Sequence, residues 1–465
     1  MPNMELMIRP RATPMIHVLL RSPAAAVGLL VMALAVPPPA SGAAEPLPRI
    51  EGPLTIEQAV AQALEKSIRI KAADADSRAM DSMRKEALAP FWPQLSANGY
   101  LNSQTLGPNV YTSAGNTMAR NYQVFGPDFN RDANITVMYS LFAGGRDYYG
   151  YKAAAARADA ARQMLQGTGL DVAMQTRVDY IAALREAENA RVAGDLLKAV
   201  EERLRVTREM FEAGRVPRYY LLRDESERAN GVQMDAMARS RAEQALIALK
   251  TTMGVDLSSP ISLADRLEYS PMKVSIEEGI RQASETHPEI LAAVKQREAM
   301  VAEVRAAYSN YFPQISAAFM NDWVWMRNRD EAKTTDNGYS VGLVVTLPIF
   351  DGFMRENGVN TAKAKLEKAA HAEALVRQQV AKEVNQAALM LGAAEKGVEA
   401  SKIGADQAEE EIRIVKERFE SGRGIQVEIL DAQASLTRIR FNLVAALADY
   451  NTALAMWLKA TGRQR

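Results

Sequence analysis

Hydrophobic and polar positions follow two regimes, and the same succession of regimes occurs twice along the chain. Residues 55–65 and 275–285 place apolar residues at helical spacing, which predicts a short helix in each half. His287-Pro288 then reads as a helix start, with Pro at the first helical position. The longer helices that follow end at Pro90 and Pro93 in one half and at Pro313 in the other. The period next drops to two. Leu95, Ala97, Gly99 and Leu101 alternate with Ser96, Asn98, Tyr100 and Asn102, and Ile135, Val137, Tyr139 and Leu141 alternate with Asn134, Thr136, Met138 and Ser140. In the second half Ile315, Ala317 and Phe319 lead to Trp323 and Trp325, and Tyr339, Val341, Leu343, Val345 and Leu347 alternate with Ser340, Gly342, Val344 and Thr346. These four stretches predict strands with one apolar and one polar face. Polar loops, about 103–132 and 326–337, join them in pairs.

After each second strand a Gly corner, Gly144-Gly145 or Gly352, opens a helical pattern of about 70 residues without Pro. At 1.5 Å per residue such a helix is roughly 105 Å long. Leu197, Val200, Leu204, Thr207 and Phe211 follow 3-4-3-4 spacing, as do Ala405, Ala408, Ile412, Val415 and Phe419, a seam of coiled-coil type. A Gly turn leads into a last helix of about 38 residues, near 216–254 and 425–462. The helix before the strands and this last helix, end to end, nearly match the long one. Two rods of roughly 100 Å are therefore expected side by side below a β-hairpin.

The halves are duplicates. Leu54-Thr55-Ile56-Glu57 returns as Val274-Ser275-Ile276-Glu277, and Phe91-Trp92-Pro93-Gln94-Leu95-Ser96 as Tyr311-Phe312-Pro313-Gln314-Ile315-Ser316, both at an offset of 220. Beyond the strands the offset is 208: Glu209, Phe211, Glu212, Gly214 and Arg215 meet Glu417, Phe419, Glu420, Gly422 and Arg423. One insertion of 12 residues, between about 97 and 141, accounts for the change. The expected division is residues 1–44, a first repeat at 45–265 and a second at 266–465.

Residues 1–44 read as a Sec signal peptide. Arg9, Arg11 and Arg21 precede an apolar stretch from Ala24 to Val36, then Pro37-Pro38-Pro39 and small residues to Ala44. A membrane anchor is the competing reading, but about 13 apolar residues fall short of the roughly 20 that span a bilayer. Removing the segment takes away three Arg and Glu5, leaving a formal charge of −2.

Composition narrows the chemistry. Lys+Arg and Asp+Glu both number 56, so nothing points to nucleic acid. The chain has no cysteine, which removes thiolate metal sites, Cys nucleophiles and an acylated Cys anchor. With three histidines, His17, His287 and His371, a metal cluster or catalytic triad is not expected, and His287 reads as a turn residue. P-loop, dinucleotide, nucleophile-elbow and zincin motifs are missing. The expectation is a protein that is not an enzyme, with no cofactor and no metal.

The strands have the length of bilayer-spanning strands. Phe91, Trp92, Tyr311, Phe312, Phe142 and Phe350 cluster at their helix-side ends, with Tyr148, Tyr149 and Tyr151 just beyond, where an interfacial girdle would lie. A soluble sandwich is the alternative. Bacterial barrels start at eight strands, and an open edge is not allowed in lipid. Four strands per chain therefore call for oligomerisation, and three copies give twelve.

At this point the sequence resembles the TolC-type outer-membrane efflux proteins. The duplication, the element order and the run Phe419-Glu-Ser-Gly422-Arg-Gly-Ile-Gln-Val-Glu428-Ile-Leu430-Asp431-Ala-Gln433 carry the likeness, over about 54–462. The resemblance implies a mainly α fold with a membrane β-barrel: a homotrimeric 12-stranded barrel in the outer membrane, continued by a long periplasmic α-helical barrel. It implies a passive exit duct for a tripartite efflux pump or a type I secretion system. The implied partners are a periplasmic adaptor (membrane fusion) protein and an inner-membrane transporter of RND, ABC or MFS type, which selects the substrate. It also implies that the helix turns form a constricted periplasmic tip. Matched by position, Glu428 and Asp431 take the acidic lumen places of the gate. Gly424, with Arg423 beside it, stands where relatives often carry a basic residue, and Tyr220 holds the first-half acidic place. The turns with Phe211, Gly214, Arg215, Phe419, Gly422 and Arg423 resemble the adaptor-contacting surface. Their plain alternatives are solvated turn residues and a Gly helix cap. For the whole chain the alternative function is a soluble periplasmic coiled-coil scaffold or adaptor.

Overall fold

The computed structural model describes residues 47–103, 129–327, 333–421 and 423–463. The expected signal peptide, most of the first inter-strand loop, residues 328–332 and Gly422 lie outside the described residues. No described helix is long and apolar enough to cross a membrane.

From α1 onwards the element order repeats. The first half runs β1 (Gly52–Leu54), α1 (Ile56–Lys66), α2 (Ile68–Glu86), β2 (Gln94–Ser103), β3 (Phe129–Ala143), α3 (Arg146–Glu212) and α4 (Arg218–Met253), and closes on β4 (Ile261–Leu263), which has no counterpart in the second half among the described residues. The second runs α5 (Ile276–Thr286), α6 (Pro288–Tyr308), β5 (Gln314–Arg327), β6 (Lys333–Thr346), α7 (Met354–Glu420) and α8 (Gln426–Ala460). Both long helices have 67 residues. The repeated Thr/Ser-Ile-Glu sequences are helix caps. The Thr55 hydroxyl accepts from the Gln58 N–H, and the Gln58 side chain accepts the Thr55 N–H in return, a reciprocal box that satisfies two orphan donors. Ser275 accepts from the Glu278 N–H at the start of α5.

The described chain divides into two compact units. One takes in Pro46–Ala87, Tyr148–Ala307 and Glu356–Arg465 and holds the helices. Its core has separate clusters in the two halves. Leu54, Ala59, Ala63, Val172, Tyr180, Leu249 and Met253 pack together in the first. Ala283, Ile290, Val380, Val384, Ala387 and Trp457 do so in the second. β1 and β4 pair in parallel, Gly52 opposite Ile261, a link the three-residue strands were too short to announce. Tyr180 fastens this corner: its hydroxyl donates to the Leu54 carbonyl at 2.6 Å and lies 2.9 Å from Asp265 Oδ2, which also accepts the Ile56 N–H at 2.7 Å. Along the seams Val200, Leu204, Thr207, Ala405, Ala408 and Ile412 are buried, as their spacing predicts.

The other unit takes in Leu88–Asp147 and Tyr308–Arg355. Its sheet has the order β2-β3-β5-β6, antiparallel throughout. Asn98 and Asn134 face each other on the polar side, Nδ2 to Oδ1 2.9 Å. The strands are longer than alternation predicts, so the loop bounds 103–132 and 326–337 are corrected. β3 begins at Phe129, β5 runs to Arg327 and β6 starts at Lys333, because ladder pairing continues beyond the alternating stretches, in β6 through the polar run from Lys333 to Asn337. A bulge interrupts β3 between Ser140 and Phe142. Both sheet-to-helix corners pass through positive φ: Gly144 at 64° and Gly145 at 88°, then Gly352 at 65° and Phe353 at 67°. At the 208 offset Phe353 takes the place of Gly145, and a side chain in that region costs roughly 1–2 kcal/mol.

His287 sits between α5 and α6, 1% exposed, with neither ring nitrogen hydrogen-bonded among the described residues. Burial holds its pKa below the ordinary histidine value; Glu289, Glu383 and Asp171 oppose that shift and Lys459 adds to it. Below about pH 6.5 the unfolded chain therefore binds the extra proton. Stability contributed by neutral His287 is present above that pH and falls as the pH drops towards the folded-state value. His287→Phe should flatten the acid-side fall of the thermal midpoint between about pH 6.5 and 5; a variant with the wild-type slope would show that other groups set it.

Candidate functional site

The turns between the long and last helices gather most of the residues singled out above. α3 ends as the seam predicts, with Phe211 half-buried. Gly214 (φ 71°) donates its N–H to the Phe211 carbonyl at 2.9 Å, and the Arg215 N–H donates to Met210 O at 2.8 Å. Those bonds satisfy end carbonyls that a continuing helix would have used. Gly214 and Arg215 are exposed, and α4 starts after Pro217. In the second turn Phe419 is half-buried, and the exposed Arg423 donates its N–H to Arg418 O at 2.9 Å.

Gly424 explains a departure from the family pattern. A Cβ there would lie 3.0 Å from Phe419 N and 3.2 Å from Phe419 Cα. The turn folds back on the end of α7 too closely for a basic side chain to be added without a shift of backbone. The cation near Glu428 is instead Arg418, Nη2 to Oε2 3.8 Å. At that distance the pair is ionic contact without a hydrogen bond, and Glu428 Oε2 is itself buried and unbonded among the described residues. Glu428 stands in the first turn of α8, where a carboxylate is favoured by the helix dipole. Asp431, three residues on, is exposed. Tyr220 is half-buried against Tyr219, ring centroids 4.3 Å apart. The Tyr220 hydroxyl beside it raises the Tyr219 pKa.

A buried carboxylate ties the two turns together. Asp224 on α4 is fully buried. Its Oδ1 accepts from Arg203 Nε at 3.0 Å, and its Oδ2 accepts from the Thr207 hydroxyl at 2.7 Å and from Gln426 Nε2 at 3.2 Å. Arg203 and Thr207 lie on α3 and Gln426 opens α8, so one carboxylate joins three helices across both repeats. The sequence reading passed over Asp224. The signal for it was a break in the duplication: at the 208 offset Arg203, Thr207 and Asp224 meet Glu411, Val415 and Ala432. By contrast, the exposed triads Glu202–Arg205–Glu209 and Glu410–Arg413–Glu417 repeat at that offset in both halves. Exposed helix pairs of this kind contribute little each.

A family model described as outer membrane efflux protein matches residues 59–255 and 279–463. The outer membrane efflux protein BepC of Brucella suis is 24% identical over 419 residues, 89% of this chain and 87% of its own. Protein CyaE of Bordetella pertussis is 27% identical over 368 residues, 76% of each chain. Among solved structures, the Campylobacter jejuni CmeC outer membrane channel is similar with a TM-score of 0.74 at 17% identity, covering 88% of this chain and 85% of that one. The open-state Neisseria gonorrhoeae MtrE outer membrane channel has a TM-score of 0.70 at 20% identity, covering 88% and 89%. The fold is that of these outer membrane channels.

Removing one member of a buried ion pair typically costs about 3–5 kcal/mol. Asp224→Ala should therefore speed amide exchange at the α3–α4 turn by about a hundredfold or more, through local opening rather than global unfolding. Exchange at wild-type rates would show that the cluster does not hold the turn.

Proposed function

The chain belongs to the outer membrane efflux protein family, and from that premise we propose how this outer-membrane exit duct is assembled and gated. Three copies join, β6 of one to β2 of the next, and close twelve strands. The observation that carries this reading is the order β2-β3-β5-β6, with two edges unpaired within the chain and alternating strand directions. Joining β6 to β2 keeps the whole ring antiparallel. Closure is what a sheet needs in lipid, where unsatisfied N–H and C=O groups cost several kcal/mol each.

The halves 45–265 and 266–465 each contribute two strands, a long helix and a last helix, and the helices continue the barrel into the periplasm as an α-helical tunnel. The duct is passive. An inner-membrane transporter of RND, ABC or MFS type supplies energy and selects substrate, and a periplasmic adaptor docks on the turns with Phe211, Gly214, Arg215, Phe419, Gly422 and Arg423. Glu428 and Asp431 face the lumen at the narrowest point, so three copies set six carboxylates in one ring. Such a ring concentrates cations and repels anions. Arg418 takes the cationic place beside Glu428, with Arg423 outside it and Tyr220 on the neighbouring turn. Asp224 holds the two turns of one copy together beneath the gate.

Mass measurement of the detergent-purified protein should give three chains; a stable, monodisperse monomer would sink the barrel closure. In planar bilayers, Glu428→Ala with Asp431→Ala should raise conductance or shift selectivity towards anions, and weaken block by a trivalent cation. Wild-type conductance, selectivity and block in that variant would make the two acids ordinary surface residues.

A further inference from the structure

We infer that neighbouring copies meet through an apolar version of the joint that binds the two repeats of one chain: the Gly352 corner seats against the Ala89–Trp92 turn of the next copy, and Leu375 packs on Ile68 of the next copy. The inference rests on the closed ring of three proposed above and names the residues that join it.

The repeats are alike enough to serve as templates for each other. Leu95 stands opposite Val137, and Ile315 opposite Val345, the same register at offsets of 220 and 208. The bounds of α3 and α7 differ by 208 at both ends. In the sheet the first repeat meets the second through β3 and β5, with Met138 opposite Ala318. Carried by the two offsets, that pair becomes Thr346 on the β6 edge opposite Asn98 on the β2 edge of the next copy.

The corners carry the same message. A Cβ on Gly144 would lie 2.4 Å from the Ser309 carbonyl oxygen and 2.8 Å from Phe312 Cβ, so the turn of the second repeat leaves room there for glycine alone. The equivalent Gly352 has the same backbone, φ 65° against 64°, yet a Cβ on it would meet no described atom within 4 Å. The turn that would fill this space is the counterpart of the one at Ser309. The Trp92 N–H donates to the Ala89 carbonyl at 3.1 Å, as the Phe312 N–H donates to the Ser309 carbonyl at 3.1 Å. Trp92 is 70% exposed in its own chain.

The helical unit supports the joint independently. A Cβ on Gly167 of α3 would lie 3.7 Å from Pro288 Cβ at the start of α6. The offsets carry this contact to Leu375 on α7 and Ile68 at the start of α2, which are 66% and 63% exposed. Large apolar side chains thus stand open at both ends of a contact that the other repeat makes. The polar links do not carry over. Within the chain Arg157 pairs with Glu303, Asp171 with Lys459 at 2.6 Å, and Asp224 with Gln426 at 3.2 Å. The equivalent pairs are Lys365 with Met83, Gln379 with Thr251, and Ala432 with Arg218, none of opposite charge. Polar links mark the internal joint and apolar groups the external one, a difference that keeps the two from being exchanged.

The cysteine-free sequence makes the test direct. Full-length chains with Ile68→Cys and Leu375→Cys, or with Asn98→Cys and Thr346→Cys, are oxidised in detergent and run on a non-reducing denaturing gel. The 3.7 Å of the template contact is a Cβ separation that a disulfide bridges. Each chain holds one cysteine of each kind, so a correct joint closes a covalent ring of three. Both pairs should give the three-chain band. Ser96→Cys with Thr346→Cys, displaced by two residues, should give several-fold less. A bond between 98 and 346 with 68 and 375 left reduced, or linked within single chains, overturns the helical joint and leaves the ring standing. A displaced pair that links as fast overturns the register. If the wild-type protein has the mass of three chains and neither pair links, the copies join in another way and the inference falls. The mass of one chain would instead end the ring itself. Gly352→Asn should lower the three-chain fraction several-fold. Asparagine accepts positive φ, so that loss reports a blocked seat, whereas a wild-type fraction removes the corner from the joint.

Discussion

Each edge of the β2-β3-β5-β6 sheet presents backbone groups that find no ladder partner among the described residues. In water those groups would be solvated; in a bilayer they must be paired by protein. Much else in the architecture answers to that requirement. Apolar side chains fill alternate positions of β6 from Tyr339 to Val345, and Asn98, Asn134 and Asp322 stand on the opposite face of the sheet. Under the proposed closure, a chain with four strands meets the requirement by association with its own copies, which makes folding of the sheet and oligomerisation one event.

Much of this was legible in the sequence, for a physical reason. A period of two and a period of 3.6 differ enough that a 67-residue helix and an adjacent strand cannot be confused. Duplication supplied a second reading of each element, so the Thr55 and Ser275 caps could be matched before either was seen. Legibility failed where structure is set by backbone or by distant partners. The start of β6 at Lys333 lacks an apolar face to mark it, since Lys333 to Gly338 are polar or glycine on both faces, and the ladder alone extends it. The parallel pairing of β1 with β4 joins residues about 209 positions apart through strands of three residues, too short for any periodicity.

The helix turns show the same division. Gly214 and Phe211 are where their spacing puts them, but Asp224 was hidden because its meaning lies in Arg203, Thr207 and Gln426, on two other helices. Gly424 looked like a missing basic residue. Its close approach to Phe419 is the positive reason for a glycine, and the cation near Glu428 comes instead from Arg418, six residues earlier than the sequence comparison pointed. The duplication thus repeats the exposed triads and the buried seams in both halves, while the Asp224 cluster, where the repeats meet, is singular.

The equal length of α3 and α7 constrains how such a chain can change. Deleting one residue from either helix would shorten it by about 1.5 Å and rotate everything beyond by about 100°, carrying the Val200–Leu204–Thr207 seam off its partner helix. The two halves are in this sense length-locked, and neither can drift unless the other drifts with it. The halves differ in length instead between about 97 and 141, away from the long helices. The long helices thus offer sites for substitution, while changes of length are kept out of them.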